Sequence, residues 1–296
     1  MTDQRVSESA LENASITNTS ARTWRQSAEI LVRYQTTIKK DHDLGALLGY
    51  SAQEYYSKSF AVSRKGATDW TLNELSTYET LVSSSSSAPA KWGLLSYFGR
   101  VNYGYKGRYL FEANLRADAS SRFGVNQRWG YFPSFSGGWR ISEEKFWSVL
   151  KPYVPSLKIR GSWGLVGNNR IGAYQYMQTV SVKNGISFGD KLAQTATFAS
   201  TNPDLKWETT RMANIGFELG LLNNDLNITF DCFNNRTKDI LVNLPVPGLF
   251  GNGAPIQNAG KVETRGWELS VSYRLKTGPV VHNFAGNISD SFNEVI

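Results

Sequence analysis

The pattern Gly-Xaa-Ser-Xaa-Gly, which presents a nucleophilic serine in many hydrolases, occurs at residues 185–189. Its serine, Ser187, would need a sharp turn between a strand and a helix, and a histidine close enough to take its proton. The sequence indicates neither a strong strand before this segment nor a helix after it, and it contains 2 histidines in all. We therefore interpret residues 185–189 as a chance match within a loop.

Cysteine and histidine, the other residue types that commonly perform chemistry, are too few to build a site. Cys232 has no second cysteine with which to form a disulfide. His42 and His282 lie far apart in the sequence, so we predict no metal-ligand cluster. Cys232 follows the alternation of its apolar neighbours, which indicates a small hydrophobic side chain that faces lipid.

Adjacent carboxylates can act as an acid and a base, and Glu143 and Glu144 are adjacent. They follow Ser142, however, and a serine before acidic residues predicts a brief helix with a serine N-cap over residues 142–150. This interpretation gives Glu143 and Glu144 a structural role rather than a catalytic one. We predict that the chain is not an enzyme, has no catalytic or metal-binding residue and uses no cofactor.

The composition favours an antiparallel β protein. Hydrophobic residues make up 41% of the 296 residues, aromatic residues 13% and charged residues 19%, and glycine is abundant. The net charge of +7 comes from scattered lysines and arginines, which does not indicate a nucleic-acid-binding arm. No segment reaches the ~18 apolar residues of a membrane helix. The N-terminus lacks the features of a secretory signal, so we expect either a missing start or a protein that stays inside the cell.

Alternation of apolar and polar residues is the strongest structural signal. From Arg108 to Ser120 the odd positions are apolar and the even positions mostly polar, which predicts a strand with two chemically different faces. Most such segments match the ~9–11 residues of a tilted strand that crosses a bilayer. Ten strands are predicted, at approximately 28–39, 42–57, 94–105, 108–120, 131–141, 156–166, 207–222, 225–241, 261–275 and 280–293.

The connections alternate in length, as they do in outer-membrane barrels, which have short turns at one rim and long loops at the other. A soluble sandwich would also alternate, but its strands are usually shorter, so we favour the membrane barrel. The serine run at 83–87 predicts a flexible loop. Tight turns are predicted at 106–107, 223–224 and 276–279, and long loops at 58–93, 167–206 and 242–260.

Three tryptophans, Trp139, Trp163 and Trp267, lie on the apolar faces of predicted strands. An aromatic girdle at a membrane interface would place them there, and so would ordinary packing in a core. The sequence leaves both interpretations open.

Five phrases occur in a characteristic order and cover most of the chain. They are RADASSRFG at 116–124, FPSFSGGWRISEE at 132–144, KIRGSWG and GNN at 158–164 and 167–169, NPDLKWETT at 202–210, and NAGKV with GWEL at 258–262 and 266–269. Together they resemble the C-terminal part of the barrel in the SusC/RagA family of TonB-linked outer-membrane proteins, which are TonB-dependent receptors of Bacteroidetes.

The resemblance implies an all-β, antiparallel transmembrane barrel of about 22 strands around an internal plug. It also implies TonB-driven import of oligosaccharides or peptides, beneath a SusD-like surface lipoprotein, in the outer membrane of a Gram-negative bacterium. We expect residues 1–296 to be a C-terminal fragment of such a barrel, without the signal peptide, plug domain, TonB box and terminal strand. Contact with the TonB complex would then run through the missing N-terminal part.

Aromatic side chains in the predicted long loops could stack on sugar rings or peptide side chains, although each could also anchor its loop. An alternative function is a surface-exposed adhesion or glycan-binding module that transports nothing. A phospholipase or protease barrel would need a Ser/His/Asp or acidic-pair constellation, which the sequence does not show. The candidate substrate-binding residues are Trp70, Tyr78, Trp92, Tyr174, Tyr176 and Phe250.

Overall fold

The computed structural model describes residues 13–67, 69, 71–188, 191–198, 200–245, 247 and 254–296, with the side chains of 181–195 and 197 left aside. Within this part of the chain, strands dominate and no helix is long and apolar enough to span a membrane. The strands are β1 (Ser15–Ile38), β2 (His42–Ala67), β3 (Tyr78–Ser86), β4 (Ala90–Tyr105), β5 (Tyr109–Ser120), β6 (Trp129–Arg140), β7 (Ser156–Asn168), β8 (Val180–Phe188), β9 (Lys191–Phe198), β10 (Glu208–Leu221), β11 (Leu226–Lys238), β12 (Leu241–Asn243), β13 (Ile256–Asn258), β14 (Lys261–Thr277) and β15 (Val280–Val295).

The described chain forms two compact units. The smaller contains the residues up to Ser27 together with Gln53–Gly93, and the larger contains Ala28–Ala52 and Leu94–Ile296. The larger unit is built on a sheet whose strand order is β1-β2-β4-β5-β6-β7-β10-β11-β14-β15. From β4 to β15 every neighbouring pair in this order is antiparallel. The predicted all-β antiparallel fold is therefore confirmed.

Six strands, β5, β6, β7, β10, β14 and β15, begin and end within two residues of the predicted bounds. Alternation is regular over long stretches of these strands, such as residues 111–120 in β5 and 267–275 in β14, where one face is apolar and the other polar. The predicted turn at 106–107 is also confirmed, with φ of 53° at Lys106 and 64° at Gly107. Positive φ at both central residues is the geometry whose twist matches a two-residue antiparallel hairpin.

The prediction of a long loop at 58–93 is wrong. Strand β2 continues to Ala67, β3 occupies Tyr78–Ser86 and β4 begins at Ala90. The serine run lies largely in β3, where Ser83 to Ser86 pair with Ser63 to Phe60. A strand ladder is made of backbone hydrogen bonds, so a polar segment without an apolar face can still pair with an extended neighbour.

The other two predicted long loops carry short hairpins. Strands β8 and β9 pair between 180 and 198, and β12 and β13 pair between 241 and 258. The interpretation of 185–189 as loop is therefore wrong up to Phe188, since Ile186 and Ser187 pair with Ala193 and Leu192. Gly189 lies outside the described residues.

The helix predicted at 142–150 is replaced by two 3-10 turns, Ile141–Glu143 and Lys145–Val149. Neither turn has a side-chain cap, and Arg140 and Glu144 occupy the N-cap positions. The prediction of a Ser142 cap is wrong, since Ser142 lies inside the first turn. Glu144 is extended between the two turns, and its carboxylate accepts hydrogen bonds from Arg108 and Trp139.

Candidate functional site

The sheet of the larger unit has an apolar face and a polar face. Residues paired across neighbouring strands share a face, so the register of the strands fixes both faces across the sheet. In β5 the apolar Tyr109, Phe111 and Leu115 are 45%, 49% and 53% exposed, whereas the polar-face Asp118 is 7% exposed. Apolar side chains open to the surroundings on strand after strand are expected where the surroundings are lipid. The apolar face includes Tyr109, Phe111, Leu115, Ile159, Trp163, Leu165, Ile215, Phe217, Leu219, Ile228, Phe230, Cys232, Trp267, Leu269 and Val271.

Aromatic rings stack across the strands of the apolar face. The ring of Trp139 stacks on Tyr109 with centroids 6.3 Å apart, and Tyr109 stacks on Tyr105 at 6.2 Å. Trp163 stacks on Phe135 at 6.3 Å, and Trp267 on Phe230 at 6.3 Å. All three tryptophans named from the sequence therefore lie on the apolar face, in rows that an interfacial girdle would occupy.

The polar face carries paired charges. Arg160 binds Asp231 at 2.7 Å and Glu218 at 3.0 Å, and Lys158 binds the same Glu218 at 3.2 Å. These four residues come from β7, β10 and β11, so the charges tie three strands together. A face of this kind is wettable and suits a hydrated solute or a polar protein surface better than lipid.

A second polar group joins two charged residues of β5 to a serine of β4. Arg116 donates to Asp118 at 2.8 Å and to the buried Ser96 hydroxyl at 2.8 Å. One oxygen of Asp118 and one of Asp231 accept no hydrogen bond from the described residues. Both oxygens are buried, so each of these carboxylates is held through its other oxygen, by Arg116 and by Arg160.

A cavity of about 830 Å³ lies against the polar face of the larger unit. Its charged and amide lining includes Asp43, Asn102, Glu112, Lys158 and Arg160. Its remaining wall includes glycines of four strands, Gly45, Gly104, Gly137, Gly138 and Gly161. The backbone is open to the cavity at the glycines, and apolar residues such as Leu110 and Phe111 share the wall with the polar ones, so the space suits a ligand or segment that has both hydrogen-bonding and apolar groups.

The two ends of the sheet differ, and we name them for their connections. The short-turn end comprises the turns at 39–41, 106–108, 222–225 and 278–279 with the segment 141–155. The long-loop end comprises the connections 121–128, 169–207 and 239–260. By the outer-membrane pattern, long loops face the cell exterior.

The long-loop end contains a buried cluster that we call the loop cluster: Phe123, Ile171, Leu205 and Trp207. Phe123 and Leu205 are fully buried. The Trp207 ring lies 5.3 Å from Phe123 and 5.4 Å from Phe132, and its indole N–H donates to the carbonyl of Arg128 at 2.9 Å. The cluster fixes the bases of the connections 121–128 and 169–207 against the end of the sheet.

Hydrogen bonds extend the loop cluster. The Asn169 side-chain amide donates to the Ser120 hydroxyl at 3.0 Å, and Arg122 donates to the Asn169 carbonyl at 3.1 Å. The Asn258 amide donates to the carbonyls of Lys206 at 2.8 Å and Asp239 at 2.9 Å, and its oxygen accepts from the Lys206 N–H at 3.0 Å. Each bond joins segments far apart in sequence.

All five sequence phrases meet at this end, the phrase at 132–144 through Phe132, whose ring packs against Trp207. Sequence reasoning did not predict this meeting. Ser120 to Phe123, Asn169, Lys206 to Trp207 and Asn258 belong to different phrases and contact one another here. Gly124 fits the same site, because a Cβ at this position would lie 2.9 Å from the Pro203 carbonyl. The phrases are therefore parts of one structural site. The signal in the sequence that could have revealed the site was the set of polar and aromatic residues in these phrases that do not follow the strand periodicity.

Four of the six predicted substrate-binding aromatics lie in the described part of the chain, two in each unit. In the smaller unit, Tyr78 is buried at the start of β3, and Trp92 stacks on Tyr55 with centroids 5.3 Å apart. In the larger unit, Tyr176 packs against the loop cluster, and Tyr174 is 42% exposed with φ of 65°. The predictions for Trp70 and Phe250 lie outside the described residues.

Comparisons with known proteins agree with this architecture. Residues 2–293 match the family described as "TonB dependent receptor-like, beta-barrel". The chain is 33% identical over 272 residues to TonB-dependent receptor P39 of Formosa agariphila, an alignment that covers 90% of this chain and 26% of that receptor. It is 30% identical over 275 residues to TonB-dependent receptor SusC of Bacteroides thetaiotaomicron, covering 91% of this chain and 27% of SusC. The chain thus spans about a quarter of the length of these relatives.

Solved structures show the same fold. The structure of the RagAB peptide transporter superposes with a TM-score of 0.85 at 29% identity, covering 94% of this chain and 31% of that chain. The ferripyoverdine receptor of the outer membrane of Pseudomonas aeruginosa superposes with a TM-score of 0.54 at 12% identity. The resemblance to SusC and RagA seen in the sequence phrases is confirmed. The chain belongs to the TonB-dependent receptor-like β-barrel family and forms part of an outer-membrane barrel.

Proposed function

We propose that this chain forms part of the wall of an outer-membrane transporter that imports oligosaccharides or peptides with energy from TonB. The observation that carries the proposal is the two-faced sheet, apolar on one side and lined with paired charges on the other, in a chain similar to SusC and to the RagAB peptide transporter. A wall of this kind separates lipid from an aqueous lumen. The role is transport rather than catalysis.

The end strands of the sheet support the proposal that residues 1–296 are one portion of a larger barrel. Among the described residues, β15 pairs only with β14, and its residues are exposed throughout. Lipid offers no hydrogen bonds to a free strand edge, so such edges are closed in membrane barrels. We infer that β1 and β15 pair with further strands of the same barrel, of which this chain is the C-terminal portion.

The same proposal includes partners. RagAB is a peptide transporter, and in the receptor that contains this chain a SusD-like surface lipoprotein would cover the long-loop end. The TonB complex would act through another part of the receptor. The host would be a Gram-negative bacterium of the Bacteroidetes type.

Among the candidate aromatics, Tyr174 is the one we propose as a direct substrate contact. It lies at the long-loop end and exposes 42% of its surface, whereas Tyr176 and Tyr78 are packed into the protein. An exposed ring on a rigid loop base can stack on a sugar or a peptide side chain without first being unpacked. Trp92, Trp70 and Phe250 stay candidates for the same role.

Uptake of labelled substrate by cells that express the full receptor tests the proposal. Fluorescent oligosaccharides and peptides are offered with and without an uncoupler, and accumulation of one class should require both the receptor and the energised membrane. Tyr174→Asn should raise the concentration needed for half-maximal uptake about fivefold, since one stacked ring contributes on the order of 1 kcal/mol. Asparagine tolerates the left-handed backbone at this position.

Tyr153→Asn is the matched control, because Tyr153 is also exposed but lies at the short-turn end. Uptake by that variant should be unchanged. Surface binding that is identical with and without energy, and that leads to no accumulation of either class, would instead favour an adhesion module, for which the comparisons give no support.

A further inference from the structure

The apolar face of β10, β11 and β14 ends at nearly the same level on the three strands, with Ala213 on β10 two residues closer to the long-loop end than the opposed Cys232 and Trp267. Its last apolar side chains towards the long-loop end are Ala213, Cys232 and Trp267. In β10 the apolar stretch covers nine residues, 213–221. At about 3.3 Å per residue and a tilt of about 40°, such a stretch rises ~23 Å, close to the ~25 Å apolar band of an outer-membrane barrel. This level is therefore the outer boundary of the hydrocarbon.

Directly beyond that boundary the same face is strongly basic. We call these residues the rim patch; they share the parity of the apolar side chains below them and are all exposed: Arg211, Arg236, Lys238, Lys261 and Arg265. The patch thus continues the lipid-facing surface into the headgroup region.

The strand register sets like charges against each other in the rim patch. Arg211 lies directly opposite Arg236 in the β10–β11 pair, and Lys238 lies directly opposite Lys261 in the β11–β14 pair. Cations opposed in this way destabilise a sheet when nothing lies between them. Arg211, Lys238 and Lys261 make no ion pair with any described residue.

Acidic residues balance only part of this charge. Glu263 lies on the same face, directly opposite Arg236, and is buried; it accepts from Asn234 at 2.6 Å and from Arg265 at 3.0 Å, with Arg236 at 3.5 Å. Glu294 lies opposite Glu263 on β15. These contacts hold Arg265 and Arg236 in position, and the patch keeps a positive excess on the side that faces away from the lumen.

We propose that the rim patch binds the phosphate groups of a phosphorylated lipid in the outer leaflet. A phosphate between opposed cations replaces repulsion by charge-assisted hydrogen bonds, and the guanidinium of Arg211 or Arg236 can hold two of its oxygens. The position selects a lipid rather than a free phosphate, because acyl chains attached to the headgroup would lie along Trp267, Cys232 and the apolar residues below. Basic clusters at a bilayer surface attract anionic headgroups by the same physics.

The test uses the full receptor in detergent and follows its thermal unfolding by heat-modifiable gel migration. Three probes are titrated separately: diphosphorylated lipid A in mixed micelles, its dephosphorylated form in the same micelles, and inorganic phosphate. The double variant R211Q/K238Q removes one cation from each opposed pair and breaks no ion pair among the described residues. R274Q/K276Q removes the same two charge types from the polar face of β14 and is the matched control.

The diphosphorylated lipid should raise the unfolding temperature of the parent and of R274Q/K276Q, since a ligand bound to the folded state stabilises it. R211Q/K238Q should need a lipid concentration roughly thirtyfold higher for the same shift, at about fivefold per lost cation. Without lipid, the variant should be at least as stable as the parent because opposed charges are relieved.

An equal lipid response in R211Q/K238Q and in the parent would overturn the proposal. A shift produced equally by the dephosphorylated lipid would show that phosphate is not recognised, and a shift produced by inorganic phosphate alone would assign the patch to a soluble anion; either result also overturns it. Substrate uptake plays no part in this readout, so the outcome is independent of the proposed transport function.

Discussion

The two ends of the larger sheet are stabilised by different kinds of interaction. At the short-turn end, the tight turns are set by a few adjacent residues, such as Lys106 and Gly107 with positive φ, and by local contacts such as the Asn227 amide donating to the Asn224 carbonyl at 2.9 Å. The segment 141–155 at the same end also has a longer-range contact, from Arg108 to Glu144, 36 residues away. At the long-loop end, Trp207 donates to Arg128, 79 residues away, and Asn258 bonds Lys206, 52 residues away.

The comparison shows that order in the long connections depends on packing between distant segments rather than on turn chemistry. A local turn tolerates most changes except at its positive-φ positions, because its neighbours in sequence define it. A loop fixed by distant contacts loses its position once one of those contacts is removed, because each side of the contact is held only by the other. Substitutions at the long-loop end should therefore lower the free energy of unfolding more, and disturb residues further away, than substitutions in the tight turns.

Trp207→Ala should have the largest effect. Removing a buried tryptophan costs about 3–5 kcal/mol, through the lost burial and the cavity left beside Phe123 and Leu205. The connections 121–128 and 169–207 should become open to protease while the strands keep their far-ultraviolet signal. Limited proteolysis and heat-modifiable gel migration measure the two effects.

Trp129→Ala is the control for that substitution, since Trp129 is 44% exposed and stacks on Tyr97 on the apolar face. The Trp129→Ala variant should leave the connections 121–128 and 169–207 as resistant to protease as they are in the parent. If both tryptophan variants opened the loops equally, the loop cluster would not be what holds them.

Asn258→Ala should be next in size. Its side chain makes three hydrogen bonds, at 2.8, 2.9 and 3.0 Å, to Lys206 and Asp239. At about 0.5–1.5 kcal/mol each in a partly buried site, their loss should cost about 2 kcal/mol. Asn227→Ala removes one exposed local bond at the opposite end and should cost at most about 0.5 kcal/mol. Denaturant unfolding in detergent compares them, and equal losses would contradict the distinction between the ends.

The strands were predictable because lipid on one side and water on the other impose a strict two-residue period. Residues 111–120 and 267–275 show it without interruption, and the strands that contain them were predicted within two residues. Strand β3 was not predictable, since Ser83 to Ser86 have no apolar face and are held only by pairing with β2.

The loop cluster was harder to predict for the same reason. Phe123, Leu205 and Trp207 fall in aperiodic segments, and their burial depends on contacts between segments that no local pattern connects. The sequence predicted that Tyr174 and Tyr176 lie in a long connection, but it could not predict that Tyr176 is packed against the loop cluster while Tyr174 is exposed. The family phrases contain Phe123, Leu205 and Trp207 of the loop cluster, but nothing in the phrases indicates that these residues contact one another.

Gly107→Ala should have a smaller and purely local effect. Gly107 has φ of 64° and no atom within 4 Å of an added Cβ, so the cost is backbone strain alone, about 1 kcal/mol. Gly286→Ala in β15 also meets open space but needs no positive φ, and it should be neutral or slightly stabilising. Amide hydrogen exchange at the β4–β5 hairpin should rise in the first variant only. A loss of order at the long-loop end in G107A would contradict the local character of this turn.

The smallest expected effect is a pH dependence at the short-turn end, centred on Glu144. The hydrogen bond from the Tyr109 hydroxyl, followed by those from the Trp139 indole and the Arg108 guanidinium, lowers the pKa of the Glu144 carboxyl below its ordinary value of 4.5. A lowered pKa in the folded state means that the carboxylate stabilises the segment 141–155 above pH 4.5, and that this stabilisation is lost as the pH falls through the lowered value. Amide hydrogen exchange in this segment should therefore accelerate under acid beyond the intrinsic pH effect. The E144Q variant should already exchange faster at neutral pH and should change little more when the pH is lowered.

Glu143, whose carboxylate is 48% exposed and binds Lys151 at 3.4 Å, supplies the control. E143Q should retain the acid response of the parent, and an acid response that persists in E144Q would show that another group causes it.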